Sequence, residues 1–285
     1  VYTNRKNAQK IYLKKENYNN KIYTNIKSFT DKAANKNELN FSHSGHLGDL
    51  IYSLPLIQEI AKTKKCNFYI RIDKIHEKNY GDIPAGNLFI DRKKAEMLLP
   101  LLKKQKYLSE VKIYDNQNID IDLDFFRESF ENLNFNTIKW YSHLVGISLD
   151  ISKKFLDVGQ NLRFKEKIII VRSKRYRNVI IDYKFLKNLK NVICLGLKDE
   201  FEDLKKDINY LEFYDCKDFL EMAEIINSCK FLISNQTFAF SIAEGLKVKR
   251  LLEVCPEFPV VIPQGENAYD FFHQIHFEKY FNILN

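Results

Sequence analysis

Nowhere in the 285 residues is there an unbroken apolar stretch of about 20 residues, the length a helix needs to cross a bilayer. That argues against a helical membrane protein. The five cysteines (Cys66, Cys194, Cys216, Cys229, Cys255) are odd in number and never form a C-x-x-C pair. This pattern speaks against a zinc knot or a disulfide framework and for a reducing compartment, so a cytoplasmic protein is expected. The six histidines include no H-E-x-x-H pattern. His273 and His276 lie three apart on a predicted terminal helix without a third ligand, and are read as surface residues. No bound metal and no cofactor is expected. No internal repeat is evident, and the chain opens on Val1 with no secretory signal visible there.

Positive charge is plentiful but uneven. The net charge is +8, and residues 1–40 hold nine Lys or Arg against three Asp or Glu, which leaves +2 for all the rest. A basic arm of this kind suits the phosphates of a nucleic acid or an anionic membrane. A plainer reading carries more weight. Lys, Asn and Ile are abundant throughout, as in the product of an AT-rich genome, and the arm lacks an Arg cluster. Inside it, "KIYLKK" and "KIYTNI" flank "ENYNN", a pattern that predicts a β-hairpin.

The length allows two ordinary domains or one large α/β domain. From Phe41 onward, strands and helices alternate. "CNFYIRI", a helix near Lys93 to Lys106, and "EVKIYD" read as βαβ, and residues 122–150 read as mostly helical with Trp140, Tyr141 and Leu144 in a core. The pattern then restarts with "KIIIVRS", "NVICLGL", "LEFYD", "CKFLISN" and "KRLLEV". Helices are predicted between them at Tyr183–Leu189, Glu200–Lys206, Phe219–Ser228 and Phe240–Leu246. The expected architecture is α/β, with a basic extension over 1–40, an N-terminal lobe over 41–160 and a C-terminal lobe over 161–285. Parallel sheets bind ligands beyond the carboxyl ends of their strands, so the cleft between the lobes is the natural site.

Three stretches carry candidate chemistry. In "SHSGHLGDLIYSLPLI", Gly45 and Gly48 predict a tight turn around His46, and the apolar run after Asp49 has helical spacing. Asp49 at a helix start is commonly an N-cap. The same place also suits a general base that takes a proton from an acceptor hydroxyl, with the glycines letting a ligand approach the backbone. In "VRSKRYRN", Arg172, Lys174, Arg175 and Arg177 follow a buried strand, where cations can neutralise a diphosphate; Arg172 and Lys174 are the preferred pair. The alternative is a solvated basic loop. In "FLISNQTFAFSIAEGL", Asn235, Gln236 and Thr237 open a helix whose exposed N–H groups suit a phosphate, or else cap it in the ordinary way. Glu253, after the apolar "RLL", is placed to accept ribose hydroxyls; Glu244 sits on the helix surface or holds the loop.

Together these stretches resemble glycosyltransferase family 9, the ADP-heptose:lipopolysaccharide heptosyltransferases. "SGHLGDLIYSLPLIQEI" resembles the family's first signature, a Gly-Asp pair (Gly48-Asp49) before an apolar run containing Pro55 and Ile57. "FLISNQTFAFSIAEGL" is similar to the second signature, and the basic loop lies where the donor lobe begins, so the resemblance covers roughly residues 41–265. It implies a GT-B fold, two Rossmann-like lobes with a nucleotide-sugar donor on the C-terminal one and an acceptor on the N-terminal one. It further implies inverting, metal-independent transfer of a hexosyl or heptosyl group, with Asp49 as base. Two features depart from the family. Its Asp-Ser/Thr-Gly turn is here Gln236-Thr237-Phe238, and the chain is short with a trimmed N-terminal lobe. Heptose and lipopolysaccharide are therefore not carried over.

The mechanism expected on this basis has Asp49 deprotonate an acceptor hydroxyl, which attacks C1 of the donor sugar. Arg172, Lys174 and the helix start after Asn235 would stabilise the leaving diphosphate. His46 would orient acceptor or phosphate. Competing readings are a nucleotide-sugar epimerase, a nucleotide-binding protein without catalysis, and a glycosyltransferase acting on modified DNA or another polyanion.

Overall fold

The computed structural model describes residues 5–72, 74–75, 88–127 and 136–285, with the side chains of the first helix from residue 20 onward. The chain opens with α1 (Arg5–Asn35) and then builds a sheet from β1 (Glu38–His43), β2 (Lys65–Ile70), β3 (Glu110–Ile113) and β4 (Ile121–Asp122). Its strands are all parallel, in the order β3-β2-β1-β4. Around it lie α2 (Leu47–Ile60), α3 (Arg92–Lys103) and α4 (Thr137–Val145).

The second lobe contains β5 (Ile168–Val171), β6 (Val192–Cys194), α5 (Lys198–Leu204), β7 (Leu211–Phe213), α6 (Phe219–Ser228) and β8 (Phe231–Ser234). It continues with α7 (Phe238–Leu246), β9 (Arg250–Glu253), β10 (Ala268–Phe271) and α8 (Gln274–Leu284). The sheet order β10-β9-β8-β5-β6-β7, parallel throughout, is the doubly wound Rossmann order. The order reverses between β5 and β8 in this sheet and between β1 and β4 in the other. All four residues of β5 are buried, as expected for a strand covered on both faces.

Helix α2 is apolar on almost every side because it is enclosed on almost every side. It packs on α4 of its own lobe and on α7 of the second, and buries Leu50, Ile51, Leu54, Leu56 and Ile57 completely. With α3 packed on α6, one hydrophobic cluster runs through both lobes. The backbone joins this seam as well. Phe155 N and Leu156 N both donate to the Gly245 carbonyl, at 2.9 and 3.0 Å.

Four expectations change. The hairpin in the arm is a single helix: "KIYLKK", "ENYNN" and "KIYTNI" are consecutive turns of α1. The helix is favoured because Phe29 and Ala33, four apart, pack on the N-terminal lobe. Asn25 Nδ2 also donates to the Leu144 carbonyl at 2.7 Å, and Lys32 Nζ to that of Asp120 at 2.6 Å. A two-stranded hairpin would have no comparable face to bury. The helix predicted at Tyr183–Leu189 shrinks to a 3-10 turn over Lys184–Leu186. Residues 122–150 hold a 3-10 turn at Leu123–Arg127 and α4, while 128–135 lie outside the described residues; Trp140, Tyr141 and Leu144 are buried as expected. Strands β4 and β10 were not foreseen. Among the described residues no helix is long and apolar enough to cross a membrane.

The seam yields a stability prediction. A Cβ on Gly245 would stand 2.7 Å from Leu156 Cγ and 2.9 Å from Phe155 Cε2. Gly245→Val is expected to destabilise the fold by about 1–3 kcal/mol through overpacking, measured by urea denaturation. An unchanged midpoint would mean that this contact between the lobes is loose.

Candidate functional site

The N-terminal side of the site is built on one buried carboxylate. Asp124 follows the carboxyl end of β4, beside the end of β1, at the point where the strand order reverses. It lies 3.0 Å from His43 Nδ1 and accepts from Ser44 N at 3.0 Å, Lys74 Nζ at 3.1 Å and Arg127 Nη1 at 2.5 Å, and also from the Ser44 hydroxyl. Burial pushes the Asp124 carboxyl up, but the hydrogen bond and charge of His43, the Arg127 guanidinium and the Ser44 hydroxyl hold it far below the usual carboxylate range. Gly45 N also donates to His43 Nδ1, at 3.0 Å. His43 Nε2 meets the Tyr141 hydroxyl at 2.8 Å, and that hydroxyl donates to the Asp49 carbonyl at 3.1 Å. The network thus ties the end of β1 to the start of α2.

Asp49 is not the N-cap. That place belongs to His46, and Asp49 sits in the first turn of α2 with Oδ2 accepting from His46 N at 3.0 Å. Arg127 Nη2 stands 3.7 Å from the same oxygen. The Asp49 side chain is 22% exposed, and its Oδ1 accepts no hydrogen bond among the described residues. The Arg127 guanidinium lies over Phe89 and Phe126, at 4.1 and 4.6 Å from the ring centroids. Its Nη2 is buried and makes no hydrogen bond among the described residues. Gly45 lies in the short turn between β1 and α2 and Gly48 inside α2; neither takes a positive φ, so close packing is what requires them. A Cβ on Gly45 would meet Asp49 Cβ at 2.7 Å and Arg127 Nη2 at 2.8 Å, whereas Gly48, inside α2, faces Ser241 Oγ of α7 at 4.0 Å.

His46 packs its ring against Phe89, with Nδ1 3.3 Å from the Phe89 carbonyl oxygen. Burial lowers its pKa; the Arg175 and Arg127 charges add to this, while Asp49 opposes it. His46 precedes Gly48, which faces Ser241 of α7, so it stands beside the contact between the lobes.

On the C-terminal side, the structure separates the four cations. Arg172 and Glu253 are buried against each other in a two-pronged pair, Nε–Oε2 at 2.7 Å and Nη2–Oε1 at 3.0 Å. The Tyr183 hydroxyl and Asn178 N also donate to Glu253, at 3.1 and 2.7 Å. Expected at the diphosphate and the ribose, these two residues instead hold the loop after β5. Lys174 is an exposed partner of Asp199 at 2.7 Å, their side chains 58% and 57% exposed. Arg177 pairs with Asp203 and donates from Nε to the Ser173 carbonyl at 2.9 Å. Arg175 alone of the four has no carboxylate partner among the described residues.

Asn235 is also structural. Its amide accepts from Ser173 N at 3.0 Å and donates to the carbonyls of Ser173 and Arg175 at 3.0 and 2.8 Å, stapling the β5 and β8 loops across the switch point. Thr237 is the N-cap of α7, accepting from Phe240 N at 3.2 Å. Gln236 differs from both, because its Oε1 is buried without a hydrogen-bond partner among the described residues. Glu244 is buried with Arg250 and Lys247 rather than on the helix surface.

Sequence reasoning missed His43, Ser44, Asp124, Arg127 and Tyr141. The first two stand inside a quoted motif, but the separation of Asp124 from them hides their partnership. Among the described residues no group of three or more His, Cys, Asp or Glu could hold a metal ion. A groove of about 740 Å³ opens at the opposite end of α2, lined by Pro55, Lys62, Lys106, Tyr107 and Phe155 among others. It lies away from the carboxyl ends of the strands.

No protein-family model matches the chain, and no curated protein matches it. Its likeness is to solved structures. A glycosyl transferase of family 9 from Veillonella parvula superposes with a TM-score of 0.54 at 11% identity, covering 87% of this chain and 89% of that one. The E. coli heptosyltransferase WaaC with ADP gives a TM-score of 0.52 at 11% identity over 87% of this chain and all (100%) of its own. The iron-containing dodecameric glycosyltransferase TibC from enterotoxigenic E. coli gives 0.53 at 10% identity, over 82% and 62%. The fold is therefore the GT-B type expected from the resemblance, as seen in glycosyltransferase family 9.

The Asp124 network has a pH signature. A carboxyl held low in the folded state stabilises above its unfolded pKa of about 3.9, and that stability is lost as pH falls below it. Asp124→Asn is expected to cost about 3–5 kcal/mol at pH 7, because it leaves Arg127 and His43 without their anion. By urea denaturation, the gap between wild type and variant should narrow from pH 5 down to pH 2. A constant gap would remove the charge from the explanation.

Proposed function

We propose that the protein is a glycosyltransferase that moves a sugar from a nucleoside-diphosphate donor to an acceptor hydroxyl, by direct displacement with inversion. One juxtaposition supports this most. Asp49 stands in the first turn of α2, the helix that packs on α7 of the other lobe, and Arg175, without a carboxylate partner among the described residues, follows β5 at the switch point of the second sheet. Arg127 Nη2, engaged only by the 3.7 Å ion pair with Asp49, and Gln236 Oε1 are buried polar groups without a hydrogen bond among the described residues, of the kind a ligand satisfies. The ADP in the WaaC structure supports a nucleotide donor for this fold.

In this mechanism Asp49 Oδ1 takes the acceptor's proton as the hydroxyl oxygen attacks C1 of the donor sugar. The bond from C1 to the diphosphate oxygen breaks with its electrons, and the negative charge passes to the diphosphate. Arg175 and the N-terminus of α7 receive that charge, preorganised and partly shielded from water. Arg127 keeps Asp49 in place from the other side. Protein groups supply the positive charge, so turnover is expected to survive EDTA.

The measurement that decides is turnover with a panel of nucleotide sugars. Asp49→Asn should bind nucleoside diphosphate normally and lose about 10²–10⁴-fold in transfer, the contribution of a general base. Activity within a few-fold of wild type would leave Asp49 a helix-start residue and the mechanism without a base.

A second contrast tests the sorting of cations. Arg175→Ala should weaken nucleoside-diphosphate binding by about 1.5–3 kcal/mol in calorimetry, the worth of a charged hydrogen bond. Lys174→Ala, which breaks only an exposed pair, should stay within a few-fold. The reverse order would move the diphosphate toward α5. Donor binding without transfer or hydrolysis would favour a binding protein.

A further inference from the structure

We propose that Tyr176 and Phe258 form a stacking platform for the heteroaromatic base of the donor nucleotide; this rests on the nucleotide-sugar reading above. Tyr176 lies in the loop after β5 and Phe258 in the segment after β9, so both stand at the carboxyl edge of the C-terminal sheet, where doubly wound folds take their ligands. Their rings are nearly parallel, 17° apart in plane with centroids 6.3 Å apart. The Arg175 guanidinium lies over the Tyr176 ring, 4.7 Å from its centroid, so the cation for the phosphates and the aromatic pair stand together at this edge. A nucleoside diphosphate likewise joins phosphates to a planar base.

The backbone shows that this placement is imposed. Tyr176 has φ 61°, a left-handed conformation costly for a bulky aromatic residue. Such a conformation persists where the surroundings over-determine it, and here they do. Asn235 Nδ2 and the Ser173 hydroxyl both donate to the carbonyl of Arg175, each at 2.8 Å, just before the strained residue. Arg177 fastens the loop just after it, through its Nε to the Ser173 carbonyl and its pairing with Asp203.

Phe258 is held as firmly. It sits between Pro256 and Pro259 in a strap whose Val260 carbonyl accepts from both N and Oγ1 of Thr137, each at 2.9 Å, at the start of α4. Phe258 nevertheless remains 37% exposed. A half-exposed aromatic ring on a fastened strap, parallel to a ring held in a strained loop, is a preformed surface for a planar ligand. Stacking of a base on an aromatic side chain is tolerant of base identity.

The test is calorimetry on the full chain with ADP, GDP, UDP and CDP, and with inorganic pyrophosphate as the ligand that has no base. Phe258→Ala and Tyr176→Asn remove one ring each, and Asn tolerates the positive φ. For the tightest nucleoside diphosphate, each is expected to lose about 10- to 100-fold in affinity while pyrophosphate binding is unchanged. Phe258→Trp should keep that affinity, and its added indole emission should be quenched by the nucleotide. Wild-type nucleotide affinity in folded Phe258→Ala and Tyr176→Asn would overturn the platform and leave the functional reading standing. An equal loss for pyrophosphate would also overturn it, since the rings would then act only on the loop. Failure of wild type to bind any of the four nucleotides would overturn both.

Discussion

The rest of the molecule depends on one buried helix. α2 packs on α4 of its own lobe and on α7 of the other, and shares one buried cluster with β1 and β2, so little of its surface may be polar. This constraint explains why "LIYSLPLI" reads as a continuous apolar run rather than as the single stripe of a surface helix. Only its two ends escape it: the polar residues Gln58 and Glu59 lie at the far end, and His46 and Asp49 at the start. The helix that closes the seam between the lobes therefore also presents the proposed base to the crevice.

Charge follows the same division between holding and presenting. Arg172–Glu253 and Arg250–Glu244 are buried pairs, each further hydrogen-bonded, and they fix the chain at the ends of β5 and β9. Removing one member of such a pair strands the other, so these pairs set loop geometry rather than supply free charge. Arg175 differs because no carboxylate among the described residues reaches it. Asp124 plays the holding part in the N-terminal lobe, gathering two cations, a hydroxyl and a histidine, and so fixing Arg127 beside Asp49. In both lobes the groups left to meet a ligand are held by neighbours that are themselves fully engaged.

Much of this was legible in the chain. The apolar strand "IIIV", the helix over Phe219–Ser228 and the strand-turn-helix around Asp49 stand close to where periodicity places them. β4 and β10 were not legible. The first is two residues long, and the second buries only Phe271 fully, so neither carries a periodic signal. The hairpin reading of the arm failed because Tyr and Ile favour strands locally, whereas packing against α4 rewards the helical face of α1.

The candidate site divides along the same line. Asp49 and the basic loop could be found by position, since a helix start after one strand and a cation run after another are local features. Which cation is left over could not. Glu253, Asp199 and Asp203 claim Arg172, Lys174 and Arg177 from elsewhere in the chain, and only the folded sheet brings those carboxylates within reach. The partnership of His43 with Asp124 is hidden for the same reason. Local pattern determined the elements, their order and the residue types at their ends. Tertiary structure decided which polar groups are spent on each other and which remain for a ligand, because pairing depends on distance in space and burial makes each pairing exclusive.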